Sequence, residues 1–145
     1  MLKPLSEMVA LLNNDLKNEW KHLKFYLYHA SAITGFHAHE YKEFLLEQAA
    51  SELNHVSQFC DLIIGLGGIP TNDSNYFPLL THPQHIIDYA CKMEAEVVEN
   101  YTHRIASLAG FTPSADTKWI EIFLEKQIED SRTDLDHLRQ ILKGA

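Results

Sequence analysis

Three glutamates stand inside apolar helical stripes. Glu19 lies three residues after Leu16 and four before Leu23. Glu52 and His55 are three apart and share a face with Phe44, Gln48, Phe59, Leu62 and Leu66. Glu94 follows Ala90 by four residues and precedes Tyr101 by seven; Gln127 takes the inward position of a later stretch, with Asp130 three residues on, toward the side of that face. Burying a carboxylate costs free energy unless it is paired, protonated or bound to a cation. The spacing repeats: Glu19 to Glu52 and Glu94 to Gln127 are each 33 residues, and Tyr26 and Tyr101 follow Glu19 and Glu94 by seven. Carboxylates with one or two imidazoles suit iron or manganese, which favour oxygen and nitrogen ligands. Two cations sharing bridging carboxylates turn mutually repelling acids into a satisfied network. A Glu and a Glu-x-x-His from each half is the dinuclear metal pattern of a helical bundle.

Plainer readings stand beside that one. An inward Glu can be a hydrogen-bonded core residue or can reach solvent along its stem, and the neutral amide of Gln127 suits a metal-free hydrogen-bond network. A second register, Glu96, Glu129 and Arg132, also has the 33-residue interval but points away from the stripes. Tyr26 and Tyr101 read as hydrogen-bond donors beside the centre or as plain core. His22, His29, His103 and His137 carry no signal of their own. His37, His39 and Glu40, and His82 with His85, sit near helix ends where a surface metal would be the only chemistry. Glu47, Glu121, Glu125 and Glu129 form a solvated acidic face that in a shell would guide cations inward. Cys60 and Cys91 read as small buried residues on adjacent helices, and Trp20 and Trp119 as interface anchors.

Four helices must position these groups. The first runs from after Pro4 to about Thr34, with Leu12, Leu16, Glu19, Leu23, Tyr26, Ala30 and Ile33 on one face, and Gly35 stops it. The second runs from about His39 to Leu66 and ends at Gly67, Gly68 and Pro70. Residues 67–82 read as a long crossing loop whose Tyr76, Phe77, Leu79 and Leu80 pin it down. A third helix starts at Pro83 with Thr81 as its cap; its inner face is Ile86, Ala90, Met93, Glu94, Val97, Tyr101, Arg104, Ile105 and Leu108. Gly110 and Pro113 stop it. Ser114 caps the fourth, which runs to about Leu142 with Ile120, Leu124, Gln127, Ile128, Ser131, Leu135, Leu138 and Leu142 inward. Each stripe is wide enough for a globular bundle. Short links near Gly35 and Gly110 and a long middle segment predict a single all-α domain, residues 1–145: an antiparallel four-helix bundle with one long crossover. No strand pattern competes.

The 145 residues suit one domain with a real core. With 12 Lys+Arg against 20 Asp+Glu and a net charge of -8, the chain does not read as a nucleic-acid binder; Lys3, Lys17, Lys21 and Lys24 are too sparse to make a basic tail. Two cysteines outside any CxxC exclude a disulfide scaffold. No leader or membrane span is legible, so the expectation is a soluble cytoplasmic protein. Neutral histidines do not enter the charge sum, so the 9 of them are left unexplained by it.

The stretch Leu12-Asn13-Asn14-Asp15-Leu16-Lys17-Asn18-Glu19, followed by Tyr26 and Tyr28-His29-Ala30, resembles the first helix of the ferritin superfamily. Glu47 to His55 and the closing Gly68-Ile69-Pro70 resemble its second helix and turn. The chain is most similar to bacterioferritins and bacterial ferritins over residues 10–142. That resemblance implies two irons, with manganese as the other choice, reacting with dioxygen or peroxide in ferroxidase chemistry for storage or detoxification. Glu19 and Glu94 would be terminal ligands, Glu52 would bridge, and His55 would bind one metal. The chain departs from the pattern at the fourth helix, where Gln127-x-x-Asp130 replaces Glu-x-x-His. Some ferritins carry Gln with an acid there, which implies a site of asymmetric affinity. Leu53 stands at the family's haem-ligating methionine, so no haem is expected. The chain stops just after the fourth helix, without the fifth helix of 24-subunit cages, which implies a homo-oligomer of the dimer or 12-mer kind. The other function the residues allow is a structural or stress-related interaction protein with a degenerate, metal-free centre.

Overall fold

The computed structural model describes residues 1–144. Four long helices account for most of them: α1 (Leu5–Ala32), α2 (Ala38–Gly65), α3 (Pro83–Ser107) and α4 (Ala115–Lys143), with a 3-10 turn, Leu108–Gly110, ahead of α4. Short links join α1 to α2 and α3 to α4, and residues 66–82 make the long connection. This is the expected all-α four-helix bundle with one crossover. Among the described residues, β-structure is confined to an isolated bridge between Lys3 and Phe111. No helix among the described residues is long and apolar enough to cross a membrane.

The chain forms two compact units, one of Val9–Ile86 and one of Met1–Met8 with the chain from Ile87 onward. In the first, α1 buries Leu12, Leu16, Phe25, Tyr26 and Ala30, with Ile33 buried just past its end, and α2 buries Leu45, Ala49, Val56, Phe59, Leu62 and Ile63. Leu45 is fully buried while Phe44, expected inward, is half-buried, so the face of α2 begins one residue late. The end of α2 is a Schellman turn. Gly67 takes φ +87°, a conformation that costs a side chain about 1–2 kcal/mol, and its N–H bonds to Ile64 O at 3.0 Å while Gly68 N–H reaches Ile63 O at 2.9 Å. Gly68 is needed for space: a Cβ there would stand 2.4 Å from Val9 Cγ1.

The crossover is laid along α1 by hydrogen bonds to its backbone. The Asn13 amide donates to Ile69 O (3.0 Å) and accepts from Thr71 N–H (2.8 Å). Trp20 Nε1 donates to Thr71 O at 2.8 Å, and Asn75 N–H donates to Lys17 O at 3.3 Å. His29 is buried; its Nδ1–H donates to Phe25 O at 2.8 Å, which leaves Nε2 to accept Leu80 N–H at 3.0 Å. Phe77 packs edge-on against Phe25 and His29, as expected of a pinning residue, whereas Tyr76 and Leu79 are exposed. Helix α3 begins at Pro83, as expected, but its cap position is His82, whose carbonyl accepts Ile86 N–H. Thr81 lies a residue too early, and its carbonyl instead takes the N–H and hydroxyl of Thr34, at 3.0 and 3.1 Å.

In the second unit the N-terminal segment is tied to the α3–α4 connection. Lys3 N–H donates to Gly110 O (2.9 Å), Thr112 N–H to Lys3 O (3.3 Å), and the Lys3 ammonium lies 5.8 Å from the Phe111 ring centre. Ser114 caps α4 as expected. Its Oγ accepts Thr117 N–H and its own N–H donates to Thr117 Oγ1, closing a capping box. The buried stripe of α4 is Ile120, Leu124, Gln127, Ser131, Leu135 and Leu138.

Candidate metal centre

Residues three apart on a helix are surface neighbours. That geometry places Glu19 and His22 together on α1, and Glu52 and His55 together on α2. All four are buried. Ligand atoms of Glu19, His22 and Glu52 lie within 4.8 Å of one another. His55 Nδ1 is 3.2 Å from Glu52 Oε2 and 3.7 Å from Glu19 Oε2, and His22 Nδ1 is 3.7 Å from Glu52 Oε1. Glu52 thus turns one oxygen toward each imidazole. One turn earlier on α2, Gln48 Oε1 is buried with no hydrogen-bond partner.

The four groups perturb one another strongly. Burial, reinforced by the Glu52 charge, pushes the Glu19 carboxyl up to about 7. Burial would also raise Glu52, but the imidazoles of His22 and His55 outweigh it and hold this carboxyl well below the usual carboxylate range. For His55, burial acts downward, yet Glu19 and Glu52 together push it up to about 11. These directions favour a charged imidazole at His55 facing an ionised Glu52.

In the second unit, Glu94 on α3 and Gln127 on α4 are buried, as expected of inward positions. Asp130 is half-buried and lines a surface recess with Ile122, Glu125, Lys126 and Glu129. A different acid accompanies Glu94: a carboxylate oxygen of Asp134 lies within 4.8 Å of one of Glu94. Tyr26 and Tyr101 are buried, each two turns beyond a buried glutamate. The second register is on the outside, with Glu96 and Glu129 exposed and Arg132 paired to Asp136 at 3.1 Å.

His22, Asp15 and Asp134 are not marked as site residues by the apolar stripes of the sequence. The signal for His22 was present, since the 33-residue interval that pairs Glu19 with Glu52 also pairs His22 with His55. Asp134 follows Gln127 by seven residues, the offset already noted for the tyrosines. Asp15 is buried one turn before Glu19. The remaining histidines are ordinary: His37 pairs with Glu40 and His39 with Glu43 on the surface, and the His82 and His85 rings lie 4.8 Å apart. Cys60 and Cys91 are half-buried rather than buried, and burial raises both thiols. Trp119 is exposed, whereas Trp20 is committed to the crossover.

The family model described as a ferritin-like domain matches residues 9–144. No curated protein matches the chain in sequence. Among solved structures, a ferritin-like diiron-carboxylate protein of Bacillus anthracis is 23% identical, covers 95% of this chain and 96% of its own, and superposes with a TM-score of 0.84. Mycobacterium tuberculosis bacterioferritin is 18% identical over 94% of this chain and 84% of its own, with a TM-score of 0.84. A dodecameric thioferritin from Bacteroides fragilis, described as bacterioferritin-related, is 18% identical over 99% of this chain and 88% of its own, with a TM-score of 0.83. At these identities the likeness is one of fold.

Proposed function

Because the chain belongs to the ferritin family, we propose that it is a non-haem dinuclear iron protein that takes up Fe(II) and oxidises it with dioxygen or peroxide, for storage or detoxification. The observation that carries this reading is the buried cluster of Glu19, His22, Glu52 and His55 on the first hairpin. Bundle stability alone gives no reason to bury two carboxylates and two imidazoles where leucines would pack, since replacing buried ion pairs by apolar side chains is often neutral or stabilising. The donor set fits iron or manganese, mixing carboxylate oxygen with imidazole nitrogen. The orphaned Gln48 oxygen marks a further polar position beside it, free to accept from a water or from a protonated oxidant.

In this reading Glu19 and Glu94 bind terminally, Glu52 bridges and His55 binds one ion. Gln127 and Asp130, with Asp134 beside Glu94, complete the second position. Tyr26 and Tyr101, both buried, would serve as hydrogen-bond donors beside the centre. The ions, once bound, supply the electrons: two Fe(II) give one each, enough with two protons to reduce one peroxide to two waters. The residues hold the ions, keep bulk water out and carry the protons. The reading extends to a cytoplasmic homo-oligomer, a dimer or a 12-mer, the latter state being that of the Bacteroides fragilis thioferritin.

Gln127 favours the second reading, a ferritin-like interaction or stress protein with a metal-free centre, because an amide satisfies a buried carboxylate without any cation. Metal content and Fe(II) oxidation of the whole chain and of an E52A/H55A variant separate the two. The proposal expects about two ions per chain under anaerobic Fe(II) loading, and loss of both binding and rapid oxidation in the variant. Failure of the unaltered chain to bind Fe(II) or Mn(II) stoichiometrically sinks it.

A further inference from the structure

We propose that His22 is a direct metal ligand, the second imidazole of the centre, supplied by α1 because α4 carries Gln127 and Asp130 where the di-metal bundle motif has a glutamate and a histidine. The inference rests on the dinuclear reading and adds a ligand to it. A dinuclear bundle site of this type takes one histidine from each of two helices. Here α3 and α4 present a glutamate, a glutamine and aspartates at the buried and half-buried positions named above, and no imidazole among them. Buried imidazoles occur instead on the first hairpin: His22 of α1 and His55 of α2 at the cluster, and His29 of α1 at the crossover.

The geometry supports ligation by His22 over a purely supporting contact. Donors bound to one ion at about 2.1 Å stand roughly 3.0 Å apart when cis and about 4.2 Å apart when trans. His22 Nδ1 and Glu52 Oε1 are 3.7 Å apart, between those two separations. His55 Nδ1 stands 3.2 Å from the other oxygen, Oε2. A bridging Glu52 then gives each of two ions one of its oxygens and one imidazole. His22 also has its nitrogen within reach of Glu19, the third member of the same group. The two Glu-x-x-His pairs are copies of one another on the two helices, 33 residues apart.

The test uses the full chain loaded anaerobically with Co(II) and counted after gel filtration, beside H22A, H22Q and H55A. The expected result is about two Co(II) in the unaltered chain and outright loss of one in H22A, beyond the roughly 10–100-fold weakening that removal of an outer hydrogen-bonding contact produces. H22Q keeps an N–H donor toward Glu52 but replaces the imidazole nitrogen by an amide oxygen, a weaker metal donor, so a ligand role expects no full rescue. Full rescue by H22Q, or undiminished binding by H22A, overturns the proposal. Circular dichroism of the metal-free variants verifies that they fold. Pulsed EPR of the unaltered chain loaded with Mn(II) and labelled with 15N-histidine needs no variant: couplings from two imidazole nitrogens are expected, and coupling from one alone also overturns it. If H55A loses metal while H22A keeps both ions, the dinuclear reading stands and the role of His22 falls. If the unaltered chain binds no metal, both fall.

Discussion

Replacing His29 with phenylalanine separates the hydrogen-bonding work of this side chain from its packing. The ring sits 4.2 Å from Phe25, 4.9 Å from Tyr28 and 6.0 Å from Phe77, contacts that a phenyl ring retains. What is lost is Nε2, the acceptor for Leu80 N–H. A fully buried donor left unpaired costs about 1–3 kcal/mol, and the half-buried Leu80 N–H stands at the lower part of that range. Phe25 O keeps its own helical bond, and the added apolar surface offsets part of the loss. A net loss of about 1–2 kcal/mol lowers Tm by roughly 3–8 °C in a chain of this size. The effect is pH-dependent. Burial lowers the His29 pKa, so as pH falls the unfolded chain, titrating at about 6.5, takes up its proton first. The His29 contribution is complete above that value and is lost as pH falls from it through the lower folded pKa. Protonation also converts Nε2 into a donor facing Leu80 N–H. Thermal melts of both chains from pH 8 to pH 5 measure this, with amide hydrogen exchange at Leu80 as the local readout. The gap between the two chains should shrink as the pH drops. An H29F chain that melts with the unaltered one at pH 8 and protects the Leu80 amide equally would refute the reasoning.

Gly68→Ala should cost about 1–3 kcal/mol through overpacking against Val9 and Ile63, seen as a lower denaturation midpoint with an unchanged slope; a neutral result would mean that the α2 turn yields freely. Ser114→Ala removes the Oγ half of the α4 capping box and should lower stability by about 1 kcal/mol, read from the same titration. Fe(II) or Mn(II) at a hundred times its Kd should raise the stability of the folded chain by about 2.7 kcal/mol. Chelation should reverse that gain and E52A/H55A should not show it; equal stabilisation of the variant would place the binding elsewhere.

The helices were legible because their signals are local. The 3.6-residue period, the pairs Gly67-Gly68 and Gly110–Pro113, and Pro83 at a helix start mark their ends to within a few residues. Glu19, Glu52, His55, Glu94 and Gln127 were legible as polar positions on apolar stripes, and each is buried. The path of the crossover was not, because its bonds join residues about fifty apart in sequence, such as Trp20 with Thr71 and His29 with Leu80. Residue type alone does not announce a bond of that kind. His22 was hidden by company, as one of 9 histidines with most of the others on the surface. Asp130 and Asp134 differ by a single helical turn, and a stripe about a hundred degrees wide does not decide between them.

The crossover is addressed by α1 through backbone atoms: Ile69 O, Thr71 N and O, Asn75 N and Leu80 N. Any residue but proline supplies that N–H, and every residue supplies that C=O. Much of the specificity of the arrangement is therefore stored on the helix, in Asn13, Trp20 and His29, while the crossover commits side chains of its own at Ser74, Asn75 and Phe77 and leaves its exposed positions free to change. Drift along the exposed positions of residues 72–79 alters the outer surface without altering the route. Evolution can in this way rewrite what the first hairpin shows to its surroundings and leave untouched its buried glutamates and histidines.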